Sequence, residues 1–340
     1  MGGEKIKTIK DISKICGVSP STVSKALIGY GDIGAETTEL VRKVAQEIGY
    51  LPNASARTLK TKHSNSIGVI FVNKMQGGLS HEYFSSVLNS VKEEAERQGF
   101  DITFISNNIG SNKMSYYEHC QYRHCDGVVI VCEDFYDPDV IELVKSNIPT
   151  VTIDHIFDNQ TAILSDNIQN MRDLVTHVYD RGHRKIAFIH GEETTVTKLR
   201  LASFYKTCED LKIDIPAEYV IPALYHDPKS SALATRTLLA LPNRPTCIMY
   251  PDDFSFIGGM NEIEKTGLTI PEDISVVGFD GIFLSQVLRP RLTTLKQDAE
   301  SIGCKAASKL IESILSPKTF FPQQVIIPGQ VLTGDSVKKI

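Results

Sequence analysis

Ser21, Thr22 and Lys25 are the residues whose types and spacing first suggest chemistry. Two hydroxyls and an ammonium on one side of a short segment can bond to the base edges and phosphates of DNA. The segments around them are built to present that face. Ile9, Ile12 and Cys16 recur at helical spacing, with Thr8 and Asp11 as a capping pair at the start. Gly17 permits a tight turn, and Val18 can plug the space between two helices. Ser19 suits an N-cap and Pro20 the first helical position, so a second helix begins there. It buries Val23, Ala26 and Leu27 and leaves Ser21, Thr22 and Lys25 outside. A third helix carries Leu40, Val41, Val44, Ala45 and Ile48 on one face and stops at Gly49. This is the spacing of a helix-turn-helix whose second helix enters a major groove. Three arbitrary amphipathic helices would have no reason to keep a small polar face flanked by bases.

Downstream, Pro52 breaks the pattern and Asn53 can cap a further short helix over 53–62. Such a helix is too short to hold alone and needs a surface to order on. Arg57, Lys60 and Lys62 can contact phosphates, while Leu59 is an apolar tip. The segment reads as a hinge helix that orders on DNA and pushes Leu59 between base steps of the minor groove. The plainer alternative is a basic linker.

The bulk properties agree with such a division of labour. Residues 1–63 hold ten Lys and Arg against six Asp and Glu, on a chain whose formal net charge is −5. A basic head on an acidic body suits phosphate contact at one end. The 340 residues allow two or three domains. No apolar run reaches the length of a membrane span, and the N-terminus shows no export signal. The seven cysteines are scattered without a framework, so reduced thiols and a cytoplasmic location are expected.

From Ile67 onward, short β-rich runs alternate with amphipathic helical stretches. The strands are expected at 67–72, 101–105, 127–131, 150–153, 185–189, 246–249 and 274–278. Continuous apolar strands separated by helices imply parallel sheets covered on both faces. The unit repeats too often for one small sheet, so two doubly wound lobes with a cleft at their strand C-termini are expected.

These motifs together resemble the lactose-repressor/galactose-repressor (LacI/GalR) family of bacterial transcription regulators. The resemblance rests on Thr8-Ile-Lys-Asp-Ile, Gly17-Val-Ser-Pro-Ser-Thr-Val-Ser and Gly49-Tyr-Leu-Pro-Asn-Ala-Ser-Ala-Arg-Thr-Leu59. It continues through Ser66-Ile-Gly-Val-Ile, Arg181-Gly-His-Arg-Lys-Ile-Ala187, Ile274-Ser-Val-Val-Gly-Phe-Asp280 and Pro290-Arg-Leu-Thr-Thr294. It implies an α/β protein: an all-α helix-turn-helix head with a hinge helix, then a periplasmic-binding-protein-like body of two parallel-sheet lobes. The head would span 1–63 and the effector-binding and dimerisation domain 64–340. Lobe one would take about 64–160 plus 293–322, lobe two about 161–292 plus 323–340, with crossings near 154–166, 280–292 and 320–325. A homodimer on pseudo-palindromic double-stranded operator DNA is implied, with Ser21, Thr22, Lys25, Arg57, Leu59 and Lys60 as DNA contacts.

The resemblance also implies a small-molecule effector between the lobes, near Phe84, Asp154, Arg200, Asp253 and Asp280, with Tyr83, Asp166, Tyr225 and Asp252 as further candidates. Asp154, Asp253 and Asp280 each follow an expected strand, and Arg200 opens a helix. Carboxylates accept hydroxyl hydrogens, Arg donates in a fixed fork and rings stack on an apolar sugar face, so a carbohydrate is the expected ligand and a nucleobase the alternative. An Asp after a strand can equally be a helix cap, which applies to Asp166 and Asp253. Arg200 could be a salt bridge between lobes, and Phe84 a core residue.

Two motifs point elsewhere and are set aside. His119-Cys120 and His124-Cys125 offer zinc-type ligands, but their spacing of five does not share a helical face. Asp252-Asp253 are neighbours that point apart, and no nucleophile or second acid accompanies them, so neither an enzyme nor a cofactor is expected. The competing class is a solute-binding protein for sugar uptake, which would carry an export signal and no basic head. A regulator whose body only dimerises is a third possibility.

Overall fold

The computed structural model describes residues 7–50, 63–72, 78–110 and 112–340. They fall into two compact units, divided between Ser64 and Asn65. In the first, α1 (Ile9–Cys16), α2 (Pro20–Ile28) and α3 (Ala35–Glu47) surround a small core. The Asp11 carboxylate accepts both the Thr8 N–H and its hydroxyl at 2.8 Å, fixing the start of α1. Gly17 ends α1 at φ 68°, a left-handed turn that costs glycine little. Ser19 Oγ then accepts the Thr22 N–H at 3.1 Å and opens α2. Ile12, Val23, Ala26 and Val41 are fully buried, with Val44 and Ala45 beside them. Leu40, expected inside, is 45 % exposed. Val41, Val44, Ala45 and Ile48 complete the inner stripe, and a residue one step earlier points about 100° away.

The second unit holds two six-stranded sheets. The first sheet has strands β1 (Ser66–Phe71), β2 (Asp101–Phe104), β5 (Gly127–Cys132), β6 (Thr150–Ile153), β7 (Thr161–Ser165) and β13 (Gln324–Ile327). Its order is β13-β7-β6-β5-β1-β2, all parallel. A two-stranded ribbon, β3 (Asn108–Ile109) with β4 (Asn112–Lys113), lies apart. Alternation splits the strands between two layers: Ile67, Val69, Val129 and Val131 pack under α4 (Glu82–Arg97) and α12 (Ala299–Leu315). Ile70, Val128 and Ile130 pack under α5 (Tyr116–Arg123) and α6 (Pro138–Lys145).

The second sheet repeats the plan with β8 (Ile186–His190), β9 (Val220–Pro222), β10 (Cys247–Met249), β11 (Ser275–Asp280), β12 (Thr293–Lys296) and β14 (Gln330–Leu332). The order is β14-β12-β11-β10-β8-β9, parallel except for the antiparallel edge β12/β14. One face is covered by α7 (Asn167–Asp180) and α8 (Thr195–Asp210), the other by α9 (Pro228–Leu239) and α10 (Phe256–Lys265). Gly258 lets α10 lie on the start of α9, where a Cβ would sit 1.7 Å from the Pro228 carbonyl oxygen.

The sheets correct the expected lobe boundaries. Residues 161–165 and 324–327 belong to the first sheet, although 161–292 and 323–340 were expected in lobe two. Residues 293–296 belong to the second, although 293–322 was expected in lobe one. The chain therefore crosses between β7 and α7, between β12 and α12, and between β13 and β14. The cause is the absence of a helix between β6 and β7, which follow each other after a loop too short for a helical crossover. A reading that expects strand and helix to alternate passes over such a strand. Between β11 and β12 stands only α11 (Phe283–Val287).

Candidate functional site

The strand C-termini of the two sheets face a cavity of about 220 Å³. The ends of β5 and β6 contribute Cys132, Glu133, Asp154 and His155, and the N-cap and first turn of α4 contribute His81, Tyr83 and Phe84. The opposite lobe supplies Thr194, Arg200, Tyr225, His226, Asp252 and Asp280, and Gln297 follows β12 at a crossing. Carboxyl ends of parallel strands are where open α/β folds place ligands, because the helices that follow leave a crevice there.

Asp154 and Asp280 stand at the ends of β6 and β11, with φ of 55° and 101°. Neither is glycine, so the surrounding structure must hold these strained backbones. The Ser165 N–H donates to Asp154 Oδ1 at 2.7 Å, and Gln297 Nε2 donates to Asp280 Oδ1 at 2.7 Å. Enclosure in the cavity pushes the Asp154 carboxyl up to about 6, against the pull of the Ser165 N–H and Arg200. Enclosure pushes Asp280 up to about 7, helped by the Asp252 charge and opposed by Arg200. Both carboxyls are thus poised between acceptor and donor near neutral pH.

Arg200 is buried, with its Nε donating to Asn167 Oδ1 at 2.8 Å and Nη1 to the Pro251 carbonyl at 3.2 Å. Its guanidinium lies 3.5 Å from the centroid of the Phe279 ring. These contacts fix the plane of the fork and leave Nη2 for a ligand. Asn167 and Pro251 both belong to Arg200's own lobe, which corrects the alternative of a salt bridge between lobes.

Rings line both walls. Phe84 packs against Phe71 at 5.3 Å and Tyr83 at 5.1 Å, so it is both a cavity wall and a partner of the core. Phe135 and His155 stack at 4.2 Å and 4°. Tyr225 fits because Gly191 has no Cβ, which would meet its ring at 2.2 Å, and its hydroxyl shares a 2.8 Å hydrogen bond with Thr197. The Tyr83 hydroxyl, His81 Nδ1 and Gln297 Oε1 are buried and have no partner among the described residues. Such groups are costly unless a ligand or water satisfies them.

Of the effector candidates, Phe84, Asp154, Arg200 and Asp280 line the cavity, as do Tyr83, Tyr225 and Asp252. Asp252 is already engaged, accepting the His226 N–H at 2.8 Å and the Ser255 N–H and hydroxyl at 2.7 Å each. Asp253 does not line it. It is fully buried beneath β11, accepting the Thr294 hydroxyl and the Ile282 N–H, and burial raises its carboxyl well above the usual range. Asp166 caps α7, taking the Gln169 N–H at 2.9 Å. Adjacent residues after a strand diverge, so Asp252 reaches the crevice and Asp253 the sheet. His81, Cys132, Glu133, Phe135, His155, Thr194, His226 and Gln297 were missed. His226 and Gln297 follow β9 and β12, two strands unseen in the sequence, and the others follow strands that were seen.

On the head, Ser21 is exposed and Thr22 half-buried, its hydroxyl 2.9 Å from that of Ser19. Lys25 Nζ pairs with Asp32, so in this state its charge is directed to the following turn. Arg57, Leu59 and Lys60 lie outside the described residues. Among the described residues no helix is long and apolar enough to cross a membrane, and no cluster of His, Cys, Asp or Glu could hold a metal ion. The His119 ring is buried, with Nδ1 at 2.8 Å from the Ser106 carbonyl.

Comparison with known proteins gives a consistent answer. Residues 8–53 match the model of bacterial regulatory proteins of the lacI family, and residues 175–337 match a periplasmic binding protein-like domain. The chain is 32 % identical to the probable HTH-type transcriptional repressor ExuR of Bacillus subtilis, over 98 % of this chain and 99 % of that protein. It is 32 % identical to the HTH-type transcriptional repressor PurR of Pasteurella multocida, over 90 % and 92 %. A lac repressor dimer bound to operator and an anti-inducer has a similar fold, with a TM-score of 0.80, 24 % identity and coverage of 98 % and 100 %. A CelR–cellobiose complex gives a TM-score of 0.72 at 20 % identity over 97 % and 99 %. The chain belongs to the LacI family of bacterial transcription regulators. The helix-turn-helix head and the repressor relatives favour a regulator over the solute-binding alternative.

Proposed function

We propose that the cavity between the lobes binds one carbohydrate-sized effector, and that this ligand sets the affinity of a homodimer for a pseudo-palindromic operator. The observation that carries the reading is the pairing of Asp154 and Asp280 from opposite lobes around Arg200, inside walls of Phe84, Phe135 and Tyr225. Two acceptors, one fixed fork and apolar ring faces match a polyhydroxylated ring. A volume near 220 Å³ lies below the range of drug-sized sites and favours one sugar ring over a disaccharide. Ser21, Thr22 and Lys25 would meet the major groove, and Arg57, Leu59 and Lys60 the minor groove and its phosphates. The transcriptional-repressor relatives support a sensor over an enzyme. A protein that acts on the chromosome works in the cytoplasm.

The test is a thermal-shift screen of monosaccharides and their acids, with nucleobases as the second class, followed by operator titration with each hit. A stabilising sugar that changes operator affinity supports the reading, because ligand bound only to the folded state raises stability by mass action. Stabilisation by a nucleobase alone would overturn the carbohydrate assignment.

A further inference from the structure

The cleft also holds an aromatic contact from one lobe to the other. His81, just before α4 in one lobe, stacks on His226, just after β9 in the other, with ring centroids 4.2 Å apart and planes at 24°. The stack continues to Phe254, whose ring lies 4.0 Å from His226 at 14°. Phe84 meets the other side of His81 edge-on at 4.8 Å. His81 is 7 % exposed and its Nδ1 has no partner among the described residues. Two imidazoles, flanked by two phenyl rings, therefore bridge the lobes, His81 buried and His226 half-buried.

We propose that His81 and His226 are a positioning pair that holds the lobes closed only while both rings are neutral, so that acid opens the cleft. A stacked neutral ring carries no charge to compensate, whereas an imidazolium between phenyl rings has lost its water. Opening the lobes restores that water. The groups facing the pair are few. Asp252 lies beside both rings and Glu82 beside His81, and each favours a charged ring. The Asp227 carboxylate turns away to cap α9 through the Lys229 and Ser230 N–H groups. Tyr83 stands at 6.4 Å from His81, and Arg200, Asp154, Asp280 and Gln297 line the same cavity. Burial outweighs the carboxylates and lowers both imidazoles below their ordinary value, and His81 lowers His226 further.

The sign follows. At the histidine pair the open state binds protons more readily than the closed one, so the pair's contribution to closure is complete above the ordinary histidine value of about 6.5 and is lost as pH falls below it. The raised carboxyls of Asp154 and Asp280, by contrast, bind protons more readily in the closed cavity and oppose the opening. The inference is independent of what the cavity binds. Small-angle scattering of the full chain from about pH 8 to about pH 5 reads it directly, in the range where histidine titrates. Circular dichroism and sedimentation mass confirm that fold and assembly are unchanged. The radius of gyration of the parent should rise in one step below pH 6.5 or so. His81→Phe and His226→Phe keep a neutral stacked ring and should stay compact across the range. His226→Lys, a permanent cation at this position, should be expanded throughout. A step of parental size that survives in both Phe variants, or a parent that stays compact to the lowest pH, would overturn the proposal.

Discussion

Asp154 and Asp280 occupy the same position in two copies of one architecture: each ends the fourth strand counted from the β2 or β9 edge, and each has positive φ. Each takes a hydrogen bond from the segment that ends or follows the next strand, Ser165 at the end of β7 and Gln297 after β12. In the proposed reading, a ligand held between them would couple the two lobes through matching groups.

Asp280→Asn should change how stability depends on pH. In the parent, the folded-state carboxyl sits at about 7, raised from its ordinary 3.8. The unfolded state therefore releases its proton first. The carboxyl weakens the ligand-free fold progressively as pH rises from about 4 to about 7. The Asn variant lacks this loss, so its advantage over the parent should grow across that window to about 1 kcal/mol or more. Urea unfolding at several pH values measures it, and an advantage that shrinks with rising pH would contradict the assignment.

Arg200→Ala should abolish the ligand response and also lower stability by about 3 kcal/mol, since it leaves Asn167 and the Pro251 carbonyl without their charged donor. Unfolding and operator titration, with and without the ligand found by screening, separate the two effects. A normal response would remove Arg200 from the site.

Asp253→Ala should behave differently from Asp252→Ala or Asp280→Ala. It strips the Thr294 hydroxyl and the Ile282 N–H of their acceptor and should cost roughly 2 kcal/mol of stability. The effector affinity of the folded fraction should stay within about twofold of the parent, a difference well under 1.4 kcal/mol. Isothermal titration with the screened ligand checks it.

Lys25→Ala should weaken operator binding and reduce its salt dependence, while Asp32→Asn should strengthen it by on the order of a few-fold by freeing the ammonium. Leu59→Ala should weaken operator binding by about tenfold or more without altering the body, because a lost wedge no longer supports the bend. Mobility shifts on one pseudo-palindrome, at two salt concentrations, cover all three variants.

Sedimentation of the full chain should give a dimer, as the proposed pairing of two heads on a pseudo-palindromic operator requires. A tetramer at micromolar protein would contradict this.

The helix-turn-helix was legible because capping residues, Gly17 and the Val23, Ala26 and Leu27 spacing act locally. The cavity was only half legible. Asp154 and Asp280 follow strands whose apolar runs are evident, but β9 spans three residues, no helix separates β7 from β6 or β14 from β13, and only the five-residue α11 separates β12 from β11. Nothing local distinguishes Asp252 from Asp253 or picks out His81 and His226, because those roles arise only when two distant segments meet.

The three crossings have a consequence for how the molecule is made. The first lobe receives α12 and β13 from residues 299–327, and the second receives β12 and β14 from residues 293–332. During synthesis neither lobe can complete its sheet until almost the whole chain has left the ribosome. A chain terminated near residue 290 would hold two unfinished sheets, each with an unpaired edge open to aggregation. The finished body should in turn melt in a single transition, since unravelling either lobe removes the return path of the other.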